Sequence, residues 1–507
     1  MLFKFYITAH NELTEVLVSV IGETFNLDKA LIPAQLEKSL GKLIQQLKST
    51  NYYLIESPYV DRIYRDSYYL YYSSKYGSYN RDCIKVSIFD TEISSSYFRD
   101  NATIEKLQEA YRGFFIIRPT EPAFLGRNHI APKAFEVSNF GYCPVNINST
   151  VNGVKLEVSG FPHASQDGET HSCAETTIWA IMEYFGTKYP DYKPVKPSAI
   201  HDLLRQMAYE RQIPSNGLSV YQISYALKEL GFGCKVYAKS AYKEGFEILL
   251  DMYISSGIPV VAGLDDFDIE DSNNIGHAVL IIGKKQVNGE FNVFKTLKQH
   301  QLDTLRTKQI TLFDLNDTSV DYVFIDDNHP PYQLATIKSP VNHYPAFWKN
   351  VQIKHLIVPL YPKIYLEAVE ARNFALEYLI NGPFPLESYS TLCLNCFLAS
   401  SRTFKHKLAL SNMEENLREI ILEKPMPKFI WVLEMGSKEE INSDQRSGLL
   451  ILDATEPNIA DNKPIIVGAY QNNVVFFSGV NEVLTKLSLP LHPFKVFLNN
   501  LTNIENE

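Results

Sequence analysis

The sequence predicts an α+β chain, and three observations predict it. Between residues 173 and 256 apolar side chains recur at helical spacing, with glycine or proline separating the segments. From 260 to 325 short apolar runs bounded by glycine, asparagine or aspartate replace that period and read as buried strands. The flanking stretches mix both periods, so three regions are expected: 1–150, 155–362 and 363–507.

Taken in order, Leu36, Leu40, Leu43, Ile44 and Leu47 place one apolar face on a helix over 34–47, with Gly41 inside it. Tyr52–Ile55, Cys83–Phe89 and Gly113–Ile117 read as strands, and Pro119, Pro122 and Gly126 break the pattern after them. Seven tyrosines crowd 62–79, a stripe expected to pack against a neighbouring region. In the middle region, Ala174, Ile178, Ile181, Met182 and Phe185 form an apolar helical face that Gly186 is expected to close. Further helices are expected from Pro197, from Ser219 to Gly231 and over 246–256, and strands at Val260–Ala262, Gly276–Gly283 and Tyr322–Ile325. In the last region Leu366–Ile380 has helical spacing, and Phe429–Leu433 and Leu449–Leu452 read as strands.

Composition narrows the function. Across 507 residues, 45% hydrophobic and 21% charged content describes an ordinary globular chain. The net charge of −10 argues against a nucleic-acid partner, because phosphates demand a basic face. No apolar run has the length of a membrane span, and the N-terminus turns polar by His10 and Asn11, too soon for a signal-peptide core. Six scattered cysteines make no disulfide framework and suit a reducing compartment, so a cytoplasmic location is expected. Cys393 and Cys396 have only His406 nearby, which is not a zinc pattern. No metal and no cofactor is expected.

Cys173 falls at the junction of a loop and a helix. The positive end of the helix dipole favours its thiolate, the reactive form. His277 opens an apolar strand, and Asp326 and Asp327 close another. A thiolate needs a base, the base needs a group that orients it, and a tetrahedral intermediate needs an oxyanion donor, which the amide of Gln166 can supply. Strand alternation would send Asp326 and Asp327 to opposite faces, so only one is expected to orient the ring. The acidic run Asp265–Asp271 just before His277 reads as a solvated loop, or as a cleft rim selecting basic peptides. His163, His171, His201 and His329 read as surface or loop residues.

The ordered set Gln166, Cys173, Gly276-His277 and an acid after a later strand resembles the papain-like cysteine peptidases. It is most similar to the bacteriocin-processing, double-glycine-cleaving peptidase domains. The resemblance spans roughly 155–360. It implies a papain-like core at 155–362, helical half first and antiparallel half second, with accessory regions on either side. It also implies a Cys173 nucleophile, a His277 base and an acid at Asp326 in preference to Asp327. The chain departs from the family at Ala174, where glycine is common, and in having Gln166 seven positions before the cysteine.

The function expected is a thiol hydrolase, most simply a cysteine peptidase acting on a peptide or protein. The alternatives are deamidase, isopeptidase or transglutaminase-like transfer through the same thioester, or an inactive papain-like scaffold. The flanking regions suggest a regulatory protein partner, and neither nucleic acid nor membrane is expected as a partner.

Overall fold

The structure is a computed structural model. It describes residues 3–77, 79–120, 124–208, 211–266, 275–286, 292–295, 297–382, 391–478, 483–495, 497 and 499–506. Helices and antiparallel sheets mix throughout, so the α+β class holds. Among the described residues no helix is long and apolar enough to cross a membrane.

Three sheets organise the chain. The first runs Lys4–Ala9, Tyr52–Tyr59, Cys83–Phe89, Tyr111–Ile117, Leu125–Ile130 and His163–Ala164, antiparallel throughout. The second, central sheet runs Lys235–Ala238, Gln352–Val358, Val260–Asp265, Gly276–Gln286, Val320–Ile325 and Gln333–Ala335, also antiparallel. The third is built on Thr391–Ser400, Phe429–Gly436, Gly448–Asp453 and Ile465–Tyr470, and Thr311–Asp314 joins it in parallel to Thr391–Ser400.

Strands cross the region boundaries drawn from sequence. His163–Ala164 belongs to the first sheet. Gly141–Tyr142 and Thr502–Asn503 extend the central one. Thr311–Asp314, from the middle of the chain, completes the third. Composition could not mark these exchanges, because a strand of two to four residues leaves almost no pattern.

The helix Cys173–Lys188 lies at the centre. Every side chain from Ala174 to Phe185 is buried. One apolar cluster joins Ile178 and Ile181 to Phe115 and Ile117 of the first sheet and to Leu280 and Ile282 of the central sheet. The apolar face read from sequence is therefore only half of what is covered. Thr176, Thr177 and Glu183 on the other side are buried as well.

The helix also runs through Gly186 to Lys188. Glycine is needed there for space: a Cβ would lie 2.3 Å from Pro194 N and 2.5 Å from Lys193 C. Elsewhere the helix over 34–47 begins earlier, at Ile32, and takes a π-turn over Glu37–Gly41 that keeps Leu36, Leu40 and Leu43 on one buried face. The Ser219 cap is present as a capping box with Gln222, and Gly231 follows that helix at φ +102°.

Close packing at Gly186 has a measurable consequence. Helix propensity alone would make Gly186→Ala stabilising by roughly 1 kcal/mol. The clash with the 193–194 backbone should reverse that sign and cost about 1–3 kcal/mol. Urea unfolding of the variant checks it, and a gain in stability would contradict the packing described.

Candidate active site

Cys173 is the first residue of its helix. Ser172 caps that helix in a box with Glu175, whose carboxylate receives the Ser172 backbone N–H at 3.1 Å. Ser215 Oγ holds the other Glu175 oxygen at 2.6 Å. These bonds consume Glu175, which stays buried, and leave Cys173 half-buried with its backbone N–H free of any intrahelical acceptor.

Two hydroxyls on the first helical turns fasten the helix to what lies opposite. Thr177 Oγ1 donates to Ala278 O on the His277 strand at 3.3 Å, and Thr176 Oγ1 donates to Asp327 Oδ2 at 3.1 Å. They tie the thiol's helix to the strand of the base and to the turn of the acids.

His277 Nε2 lies 3.0 Å from Asp326 Oδ1. That bond commits Nε2 and leaves Nδ1 for the Cys173 thiol, which is near enough to the ring to help raise its pKa. Asp326 Oδ1 also accepts the Asn328 N–H at 3.0 Å, and Oδ2 accepts the Tyr344 hydroxyl at 2.7 Å. His163 lies behind, with Nε2 2.9 Å from the Asp326 carbonyl oxygen.

Trp348 meets the His277 ring edge-on with centroids 5.6 Å apart, and Tyr344 stacks on Trp348 at 4.0 Å. These two aromatic rings, with the Tyr344 hydroxyl 3.1 Å from Nε2, screen the imidazole–carboxylate bond from water.

Burial by itself would lower the His277 pKa. The Asp326 charge and its hydrogen bond, together with the adjacent Cys173, outweigh burial and hold the ring well above its usual value. Burial would likewise raise Asp326. The charge and hydrogen bond of His277, helped by His343 and His329, hold that carboxyl well below the usual range. The pair is thus an imidazolium facing a carboxylate, the protonation state that suits a thiolate neighbour.

Asp326 and Asp327 do not point to opposite faces. The strand ends at Ile325, so its pleat no longer governs the next two residues. Both carboxyls reach His277, at 3.0 and 3.7 Å from Nε2. They differ in surroundings. Burial pushes Asp327 up to about 7, and its Oδ1 finds no hydrogen-bond partner among the described residues. The ring's hydrogen bond goes to Asp326.

Gln166 lies at the other end of the cluster. Its amide donates to Asn328 Oδ1, one residue beyond the Asp326–Asp327 pair, and Arg118 fixes its backbone by donating to Gln166 O at 2.7 Å. To serve an oxyanion, that amide would have to exchange Asn328 for substrate.

The four other histidines read as loop residues are all buried, at 7% exposure or less. His171 belongs to a separate network with Asp167 and Ser67 that joins the tyrosine-rich helix Arg62–Leu70 to the loop before Cys173. Tyr71 OH also donates to Glu169 in that loop at 2.7 Å, but most of the tyrosine stripe packs within its own region, on Cys83, Phe114 and Ile116, while Tyr69 and Tyr76 are exposed. Asp266 is buried and accepts the Ile275 N–H at 2.8 Å, and so is not part of a solvated loop; residues 267–271 lie outside the described residues. Cys393 and Cys396 are buried free thiols within a strand, and the possible metal-holding clusters among the described residues include neither.

Sequence reasoning missed Tyr344, Trp348 and His343. They lie in a proline-containing connection with no periodicity, and only the density of aromatic residues at 343–348 could have drawn attention to it. No protein-family model matches the chain, and no curated protein is significantly similar to it.

The two carboxyls make opposite contributions to stability. Asp327 holds its proton more tightly when folded. Its contribution is full below the unfolded value near 3.8 and is lost as pH rises towards about 7. Asp326 is depressed, so its contribution is present above that unfolded value and lost only as pH falls through its folded one. His277 is raised, so its contribution is present below about 6.5 and lost as pH rises through its folded value. Urea unfolding across this range should therefore show Asp327→Asn gaining stability relative to the parent between pH 4 and pH 7. A constant difference would mean that Asp327 is not held protonated.

Proposed function

We propose that the chain is a thiol hydrolase, most simply a cysteine peptidase with a papain-like core. The observation that carries the reading is the gathering of Cys173, His277 and Asp326 in one place, with the base–acid bond buried and aromatic-covered. The placement of the thiol on a buried helix and the base on an antiparallel sheet packed against it also supports it.

In this reading the Cys173 thiolate attacks the scissile carbonyl carbon. The oxyanion is received by the Cys173 backbone N–H and by the Gln166 amide after it leaves Asn328. His277 gives its proton to the departing amine as the C–N bond breaks, leaving a thioester on Cys173. It then takes a proton from water as the water oxygen attacks the thioester carbon, and the tetrahedral intermediate collapses with cleavage of the C–S bond, releasing the acid and restoring the thiolate–imidazolium pair. Asp326 stays ionised and holds the ring. Asp327, driven by burial towards the protonated form, adds less than a second full charge. Placing the whole exchange on one buried relay needs no metal ligand among these residues.

Iodoacetamide tests the reading without a substrate. Cys173 should alkylate well below the ordinary thiol pKa of about 8.5 and faster than Cys234. Burial pushes Cys234 up to about 11. Asp326→Ala should slow the Cys173 reaction and lower any peptidase rate by roughly 10²-fold or more, whereas Asp327→Asn should change either only slightly. Cys173→Ala should fold and bind peptide but not turn it over. A Cys173 no more reactive than Cys234 would sink the proposal.

A further inference from the structure

The turn that carries the acid also carries two imidazoles. His329 and His343 lie with their rings 4.5 Å apart and nearly perpendicular, and His343 Nε2 is 3.4 Å from Asp326 Oδ2. One ring nitrogen from each histidine and one Asp326 oxygen all lie within 4.8 Å of one another. Two imidazoles and a carboxylate are a donor set for zinc. With metal–ligand bonds of about 2.0–2.2 Å, closing this set on an ion asks for side-chain shifts of under roughly 1 Å.

The hydrogen bonds around His343 point the same way. Its Nδ1 lies 3.2 Å from Asn342 Oδ1, and its Nε2 faces the Asp326 carboxylate. Both ring nitrogens therefore face acceptors. A neutral imidazole has one proton to give and cannot satisfy both; a protonated ring does so by donating twice, and a cation between Nε2 and Oδ2 does so in place of the second proton. His329 and Asp326 are buried and His343 is partly so. The other cluster of this kind among the described residues, His277 with Asp326 and Asp327, is the relay itself, and its ring is already bonded to Asp326.

We propose that Asp326, His329 and His343 form an inhibitory zinc site. The ion would draw on Asp326 Oδ2, the oxygen that Tyr344 now holds, and so weaken the hold of Asp326 on His277. The ion is not a cofactor of the reaction but a brake on it. Its inhibitory part rests on the thiol-hydrolase reading, and its binding part does not. Two cations among the described residues oppose the ion: the His277 imidazolium, held on Asp326 Oδ1, and Lys42, whose Nζ lies 3.4 Å from His329 Nδ1 and which is exposed and able to swing away.

Calorimetry with Zn²⁺ alone on the full-length Cys173→Ala protein tests the binding. One ion per chain is expected, weakened at least tenfold by His343→Gln and by His329→Gln, and tightened by Lys42→Ala. In the parent protein, Zn²⁺ should slow iodoacetamide alkylation of Cys173, read at that residue by mass spectrometry. A chelator should restore the rate, and His343→Gln should abolish the slowing. Zinc that binds only when Cys173 is present, or slowing that persists in both histidine variants, would place the ion on the thiol and overturn the site. Neither readout needs turnover, so a failure to find any peptide substrate would leave this test intact.

Discussion

An ion pair sealed from water sets the terms for the rest of the molecule. His277 and Asp326 are nearly inaccessible, and the cost of burying both charges is offset only if each is hydrogen-bonded on all sides. The structure meets that demand at Asp326. Asp326 receives the imidazole, the Asn328 N–H and the Tyr344 hydroxyl, while Trp348 covers the ring. These partners come from separate stretches of chain, so the pair requires the whole central sheet and the 343–348 connection to be in place before it is stable.

The helix of Cys173 is subject to the same requirement. It is buried on both faces, between the first sheet and the central sheet. Its polar residues are therefore fasteners: Thr177 to the base strand, Thr176 to the acid turn and Glu175 to its own cap. Locating a thiol beside a ring takes rigid elements joined by specific bonds, and here those bonds are made by short side chains on the first two turns. The N-terminal region contributes through the same helix, and through the contacts of Ser67, Tyr71 and Lys75 with the loop that leads to Cys173. It acts as a wall of the site.

Neighbouring carboxyls with unlike environments divide the work. Asp326, surrounded by donors, stays ionised. Asp327, with one hydroxyl donor and an unpartnered oxygen, is driven towards the protonated form. Two ionised carboxyls beside one imidazole would repel each other in a low-dielectric site, and the asymmetry avoids it. The same turn brings His329 and His343 to Asp326, which is how a site built for orientation acquires the donor set of a metal site.

Local pattern was enough to place Cys173 at a helix start, His277 on a buried strand and Asp326 after another, because helical and strand periods are written into a dozen residues each. It was enough, too, for the α+β class. It failed where distance along the chain mattered. The exit of Asp326 and Asp327 from their strand cancelled the alternation argument. Gly186 answered to the backbone at 193–194 rather than to its own helix, and four buried histidines looked like loop residues. Periodicity reports which face of an element is covered, and says nothing about what covers it. Which carboxyl takes the ring, which aromatics shield it and which strands change sheets were decided only when segments hundreds of residues apart packed together and left each buried polar group with the neighbours it has.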